Sequence, residues 1–214
     1  MTGATPFRAT IDSLDELRTV YREPSPLVLG KERPTIDDAT RAFLAHCRFA
    51  AIGTVGASGD LDVSPRGGER GFVQVLDERR LAIADLSGNN RLDTLTNIVE
   101  TGRIALVFVV PGKTETVRVN GRAWVTVDDE VLDTFTLPKR PKAAIGVEVR
   151  TTFMHCGKAF MRGQLWEPAA WEDLASAPDG ADILTCQGVV EAEAGLVRQH
   201  LAEGYEADLA AERA

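Results

Sequence analysis

The chain has 214 residues, of which 44% are hydrophobic and 26% charged, enough apolar material for one well-formed core. A formal net charge of −8 argues against a nucleic-acid binder, which needs a basic footprint, and against attraction to an anionic membrane surface. No apolar run approaches the ~18 residues of a spanning helix, so no membrane-spanning helix is expected.

The first residues carry no basic stretch followed by an apolar one, which predicts no secretory signal. The cysteines Cys47, Cys156 and Cys186 are odd in number and widely spaced, which points to free thiols and a cytoplasmic protein.

Residues 7–22 place Ile11, Leu14, Leu17, Val20 and Tyr21 at helical spacing behind Asp12 or Ser13 as a cap, and predict a helix. Pro24, Pro26 and Pro34 break the chain. A second helix is expected from Thr35, with Asp37 and Asp38 in its first turn and Ala39, Phe43, Leu44 and Cys47 on one face. From Phe49 the texture turns to β: Phe49–Val55 is apolar and ends in the turn cluster Gly56–Asp60. Leu61–Ser64 follows as its hairpin partner, interrupted by Pro65 and the loop Arg66–Gly71. Phe72–Leu76 and Leu81–Asp85 predict another hairpin.

Asn90–Glu100 predicts a helix with Leu92, Leu95 and Ile98 or Val99 turned inward. Arg103–Val110 predicts a buried strand, Pro111–Lys113 a turn, and Glu115–Val127 a long strand with Gly121 as a bulge. Asp128–Thr136 predicts a short helix and Ala143–Arg150 a further strand, whereas Phe153–Arg162 fits helix or loop. Residues 189–212 predict a charged helix interrupted at Gly195 and Gly204. About six strands in hairpins with peripheral helices predict a mainly β, α+β fold, an antiparallel barrel. The connections are too short for parallel crossovers, and no G-x-G-x-x-G follows the first strand, which excludes a Rossmann fold. Three regions are expected: an N-terminal helical extension over 1–40, the barrel over 41–170, and a C-terminal helical extension over 171–214.

The segment Ser87-Gly88-Asn89-Asn90-Arg91-Leu92-Asp93 carries the most chemistry. It reads as a small-residue turn opening a helix, where free N–H groups, the positive dipole end and the charge of Arg91 converge. About two dozen residues on, Glu115–Arg122 reads as a strand whose alternate residues Thr116 and Arg118 share a side. Together they predict an anion cradle for a phosphorylated small molecule. Each part also has a plainer reading. Gly88-Asn89-Asn90 fits a simple turn and cap, Arg66 a solvated or acid-paired cation, and Arg118 and Arg122 an outward strand face.

Five blocks in the same order resemble the FMN-binding split-barrel family related to pyridoxamine 5′-phosphate oxidase. They are DVSPRG at Asp62–Gly67, GFVQVLD at Gly71–Asp77, GNNRLDTLTNI at Gly88–Ile98, FVVPGKTETVRVNGRA at Phe108–Ala123 and HCGKAFMRGQLW at His155–Trp166. The resemblance implies a split antiparallel β-barrel of the FMN-binding type and a homodimer with FMN at the subunit interface. The family's Arg-Lys pair at a helix start falls on Asn90 and Arg91. Its backbone pair at the end of the preceding strand falls on Ala84 and Asp85, and its ring-contacting Gln falls on Thr116. The oxidase's strand motif of Arg and a following Lys is absent, and Ser64, Arg66 and Gly67 occupy that region. Nothing matches the oxidase's residues for pyridoxamine phosphate, so the resemblance implies the cofactor and leaves the substrate open.

A dianionic phosphate suits Arg66, Asn89, Asn90 and Arg91, because each charge-assisted bond is worth roughly 1.5–3 kcal/mol. Donors near the flavin ring tune its potential, a role for Thr116 and Arg118. Lys158, Arg162 and Trp166, at i, i+4 and i+8, share one face if helical. In the family, C-terminal Arg and Trp residues reach the partner subunit's flavin, which implies that part for Arg162 and Trp166. The pairs His46-Cys47 and His155-Cys156 lack zinc spacing and read as structural, and no acid–base triad can be assembled around Cys156. An FMN-dependent oxidoreductase of unassigned substrate is therefore expected. The alternatives are a deazaflavin-dependent reductase on the same barrel, or a non-catalytic sensor or carrier of flavin or of haem with His155 or His46 as axial ligand.

Overall fold

The computed structural model describes residues 7–171 and 174–213, which divide into a short N-terminal unit ending at Glu32 and a main unit from Arg33. In the first unit, helix α1 (Leu14–Val20) is capped by Ser13, whose Oγ accepts from the Glu16 N–H at 3.1 Å. Helix α2 (Pro26–Gly30) starts on proline, which has no N–H to leave unpaired. Neither helix has a buried residue, and α1 is shorter than the 7–22 expected, so that Ile11 and Tyr21 lie outside it, Leu14 and Val20 are exposed and Leu17 is half-buried.

The main unit opens with α3 (Asp38–Leu44), capped by Asp37, whose carboxylate accepts from the Thr40 N–H at 2.7 Å. The helix starts later than Thr35 because the Ile36 N–H is committed to the Glu78 carbonyl at 2.7 Å, which keeps that stretch extended. The strands follow as β1 (Phe49–Val55), β2 (Leu61–Gly67), β3 (Val73–Val75), β4 (Arg80–Asp85), β5 (Arg103–Val109), β6 (Thr116–Thr126) and β7 (Ala143–His155). They form one seven-stranded sheet in the order β2-β1-β5-β6-β7-β4-β3, and every pairing is antiparallel. The sheet curls into a split antiparallel barrel, the α+β class that the hairpins predict.

Alternation builds the core. Ala50, Ile52 and Thr54 of β1 lie opposite Phe108, Leu106 and Ile104 of β5, and all six are buried. Val117 and Val119 of β6 continue the layer, and Cys47 closes one end. Its Sγ lies within hydrogen-bond distance of the Phe49 and Val109 carbonyls, and burial pushes the thiol up to about 11, so it stays protonated.

Four differences from the sequence reading have local causes. Strand β2 runs through Pro65 to Gly67, because an edge strand has no second neighbour that needs the missing N–H. The bulge faces Gly121 but sits on β7, where Arg150 is the extra residue opposite the Asn120–Gly121 step. Gly121 is required there by close approach, since a Cβ would lie 2.0 Å from the Glu148 carbonyl oxygen. Strand β7 extends to His155, so Phe153 is strand, and helix α6 is only Lys158–Arg162. The C-terminal region holds two helices, α7 (Gly180–Cys186) and α8 (Ala194–Arg213), and α8 passes through Gly204 unbroken. A short helix α5 (Asp129–Leu132) precedes β7. Among the described residues no helix is long and apolar enough to cross a membrane.

Replacing Gly121 with alanine is expected to cost about 3 kcal/mol, read as a lower urea midpoint at unchanged m-value. A second prediction concerns α7, where the Asp179 carboxylate accepts from the Ala181 and Asp182 N–H groups and from Arg198 of α8. The bond from Arg198 holds the Asp179 carboxyl at about 2, below its ordinary 3.8. A depressed carboxylate stabilises fully above its unfolded pKa and loses that stabilisation as pH falls through its folded one. The α7–α8 pairing should therefore weaken between about pH 4 and pH 2. Acid titration by circular dichroism should show the corresponding helical loss shifted or absent in Asp179→Asn.

Candidate functional site

Helix α4 (Asp93–Thr101) connects β4 to β5 and is fastened to the inner side of the sheet. Ile98 is buried, the Asn97 side-chain amide donates to Thr54 Oγ1 at 3.0 Å, and the Thr101 hydroxyl donates to the Val55 carbonyl at 2.7 Å. Gly102 ends the helix at φ 63°, in the left-handed region that glycine enters without strain. These fastenings fix where the helix begins.

That beginning differs from the expectation of Asn90. Asn90 and Leu92 adopt φ of 57° and 60°, which interrupts the helical path, so the helix starts at Asp93 with Leu92 as its N-cap. Leucine has no side-chain acceptor, and no side chain caps the helix. The first-turn N–H groups and the positive dipole end are thus presented outward. Thr94 stands in that first turn and is 1% exposed, yet its Oγ1 has no hydrogen-bond partner. A buried hydroxyl without a partner is costly, and nearly all such groups in folded proteins are satisfied by something.

Both features line a cavity of about 360 Å3. Its walls are the end of β2 (Ser64, Pro65, Arg66, Gly67), the end of β4 (Ala84, Asp85) and the turn Leu86–Arg91 leading into Asp93 and Thr94. Eight residues proposed from the sequence meet here: Ser64, Arg66, Gly67, Ala84, Asp85, Asn89, Asn90 and Arg91. Register explains the meeting of the first two. Ser64 and Arg66 pair with Ile52 and Ala50, so they emerge on the core side of the edge strand.

Three cations, Arg66, Arg91 and Lys142, share the wall with two carboxylates, Asp85 and Asp93. Arg91 Nε lies 2.8 Å from Asp93 Oδ2, and that bond, with a further contribution from Asp62, raises the Arg91 pKa still higher. Arg66 donates one N–H to the Pro65 carbonyl at 3.0 Å, and the Asn89 side chain accepts from the Arg91 N–H at 3.0 Å. The cavity therefore lies at an uncapped helix start, with three cations and two carboxylates in its wall and Arg91 paired to Asp93.

Lys142 and Thr94 were missed by sequence reasoning. Lys142 closes the run Pro138-Lys139-Arg140-Pro141-Lys142, a cluster of cations that was a visible signal. Thr94 lies four residues before Ile98, on the inward face, while Leu92 and Val99 are 48% and 76% exposed. Of the residues expected inward, Ile98 is buried and Leu95 half-buried, and the place expected for Leu92 is taken by a small polar residue at the same helical spacing.

The other five proposed residues lie elsewhere. Arg118 alternates with the core residues Val117 and Val119 and is half-buried on the outer face of the sheet, whereas Thr116, at the start of its strand, is itself buried. The Arg118 guanidinium lies 5.0 Å from the Phe153 ring centroid. Lys158 and Arg162 are on α6, which ends at Arg162, so Trp166 is not on a shared helical face. Trp166 packs against Phe160 at 5.7 Å and donates its indole N–H to the Lys113 carbonyl at 2.7 Å. Within one chain these five do not line the cavity. Among the described residues no group of three or more His, Cys, Asp and Glu side chains is placed to hold a metal ion.

Residues 36–156, more than half of the chain, match the sequence profile of pyridoxamine 5′-phosphate oxidase, and the chain belongs to that family. No curated protein matches it. Among solved structures, a candidate pyridoxamine 5′-phosphate oxidase from Lactobacillus delbrueckii is 24% identical, with 57% of this chain and 98% of that one covered at a TM-score of 0.44. HupZ of Group A Streptococcus is 19% identical, over 56% of this chain and 93% of that one, also at 0.44. An F420 reductase is 16% identical over 54% of this chain and 94% of that one at 0.38.

Thr94→Val keeps the side-chain shape and removes the unpartnered hydroxyl. It should leave stability within about 0.5 kcal/mol of the parent or raise it, as measured by urea unfolding of the ligand-free protein. A loss of more than about 1 kcal/mol would mean that the hydroxyl has a partner within the chain.

Proposed function

We propose that this protein is an FMN-binding flavoprotein that acts as a homodimeric oxidoreductase in the cytoplasm. The observation that carries this reading is the uncapped first turn of α4, with the unpartnered Thr94 hydroxyl buried within it, at the wall of a cavity that also holds Arg66, Arg91 and Lys142. Membership of the pyridoxamine 5′-phosphate oxidase family supports it.

A dianionic phosphate suits this donor set. The Thr94 hydroxyl and the first N–H groups of α4 supply hydrogen bonds, and Arg66, Arg91 and Lys142 supply charge. Seating a phosphate there lets Arg91 exchange Asp93 for a second anion, while Asn89 keeps the turn closed. Flavin, when bound, supplies reversible electron transfer, and the protein's part is to bind and orient it.

Support for the second copy comes from the outer face of the sheet. Pro65, Ala51, Val107, Arg118 and Phe153 lie on one rung across neighbouring strands. On the next rungs Val63 and Leu61 are 70% and 84% exposed. An apolar face of this kind suits burial against another protomer. A second copy over it would cover Arg118 and bring it to a shared ligand, a role that one chain cannot give it, whereas Thr116 is already buried within one chain. The electron donor and substrate stay outside this reading.

Titration with FMN, followed by flavin fluorescence, is expected to show saturable binding by a dimer in sedimentation. Arg91→Ala should weaken it about tenfold or more and Thr94→Val by a smaller factor, both with nearly unchanged melting temperature. Equal affinity in Arg91→Ala would remove that residue from the site, and no saturation by the parent protein would remove FMN.

A further inference from the structure

Beside the proposed phosphate site lies a second cavity of about 500 Å3, which shares Gly67, Asp85, Leu86, Ser87 and Lys142 with the first. One of its walls is the last turn of α8, through Leu209, Ala211, Glu212 and Arg213. Three polar contacts hold that turn. The Ser87 N–H donates to Glu212 Oε1 at 2.8 Å, Lys139 Nζ donates to the Ala211 carbonyl at 3.0 Å, and Arg213 Nε lies 3.5 Å from Glu69 Oε1.

The attachment is built to be reversible. Helix α8 has no buried residue, and Tyr205 and Leu209, on its approach to the cavity, are 63% and 53% exposed. Its other fastening is Arg198, which bonds Asp179 and Asp182 of α7 near the opposite end of the helix. Exposed ion pairs and hydrogen bonds contribute little each, so a tip held by three of them opens at small cost.

Glu212 is also an anion seated where an anion is wanted. Ser87 begins the same turn that continues through Arg91, and its N–H faces a carboxylate supplied from more than a hundred residues away in sequence. The Lys139 ammonium is likewise engaged by the carbonyl end of α8, a favourable pairing of cation with negative dipole end. We propose that the last turn of α8 is an anionic lid, in which Glu212 occupies the Ser87 N–H until an anionic ligand reaching from the first cavity into the second displaces it. Displacement frees the Ser87 N–H and Lys139 for the ligand, next to Lys142 and Arg48. This deepens the nucleotide reading, on which it rests for the identity of the neighbouring site, and it commits the second cavity to a negatively charged group.

The experiment uses the full chain and two probes, inorganic pyrophosphate and FMN. Hydrogen exchange of residues 205–213 is followed by mass spectrometry, and affinity is measured for the parent and for Glu212→Gln. The expected result is faster exchange of the tip when a probe binds, and binding about three- to tenfold tighter in Glu212→Gln, where the competing charge is gone. A probe that binds the parent while tip exchange and the affinity of the variant stay unchanged overturns the lid. Binding of neither probe to either chain also overturns it. Binding of pyrophosphate with the expected changes but not of FMN keeps the lid and removes the nucleotide reading.

Discussion

The fastening of α4 against β1 is the constraint on which the candidate site depends. Ile98 enters the core, Asn97 bonds Thr54, and Thr101 bonds the Val55 carbonyl, so the helix cannot slide along the sheet. Because its axis is fixed from these inner turns, its first turn is presented to edge strand β2 whatever the preceding residues prefer. The left-handed backbone at Asn90 and Leu92 follows from joining β4 to a helix start already set in place. Such backbone carries a cost that the surroundings must offset, and it is commonly found where a fold positions a ligand.

The consequence is an arrangement of deficits. A helix without a side-chain cap, a buried threonine hydroxyl without a partner and three cations share one wall. Each deficit alone would be a small blemish. Gathered around one cavity of about 360 Å3, they are the groups that the proposed phosphate would engage. The carboxylates nearby temper the positive field, and Asp93 in particular gives Arg91 a resting partner. On the proposed reading a phosphate would take Arg91 over from that partner, within a protein too acidic to collect polyanions.

The two faces of the curled sheet divide the remaining chemistry. Residues on the core side of β2 reach the cavity, while Arg118, on the other side of β6, reaches outward beside Phe153. Strand alternation enforces this separation, because a residue one step along a strand faces the opposite way. The C-terminal helix adds a third participant, since its last turn rests on the turn that opens the cavity.

The amino-acid sequence by itself determined the barrel, its hairpins and most strand limits, because apolar alternation and turn residues are local signals that survive in the tertiary structure. It also located Asn89, Asn90 and Arg91 in the cavity wall, since a small-residue turn before a helix is recognisable wherever it occurs, whereas Ser64, Arg66, Gly67, Ala84 and Asp85 came from the family resemblance. Only the tertiary structure decided that β2 passes through Pro65, that the bulge belongs to Arg150, and that Thr94 and Lys142 join the site. Edge position, register across strands and the packing of α4 are relations between distant segments, and no local pattern encodes them. The same holds for Glu212, whose place against Ser87 depends on where a long surface helix comes to rest.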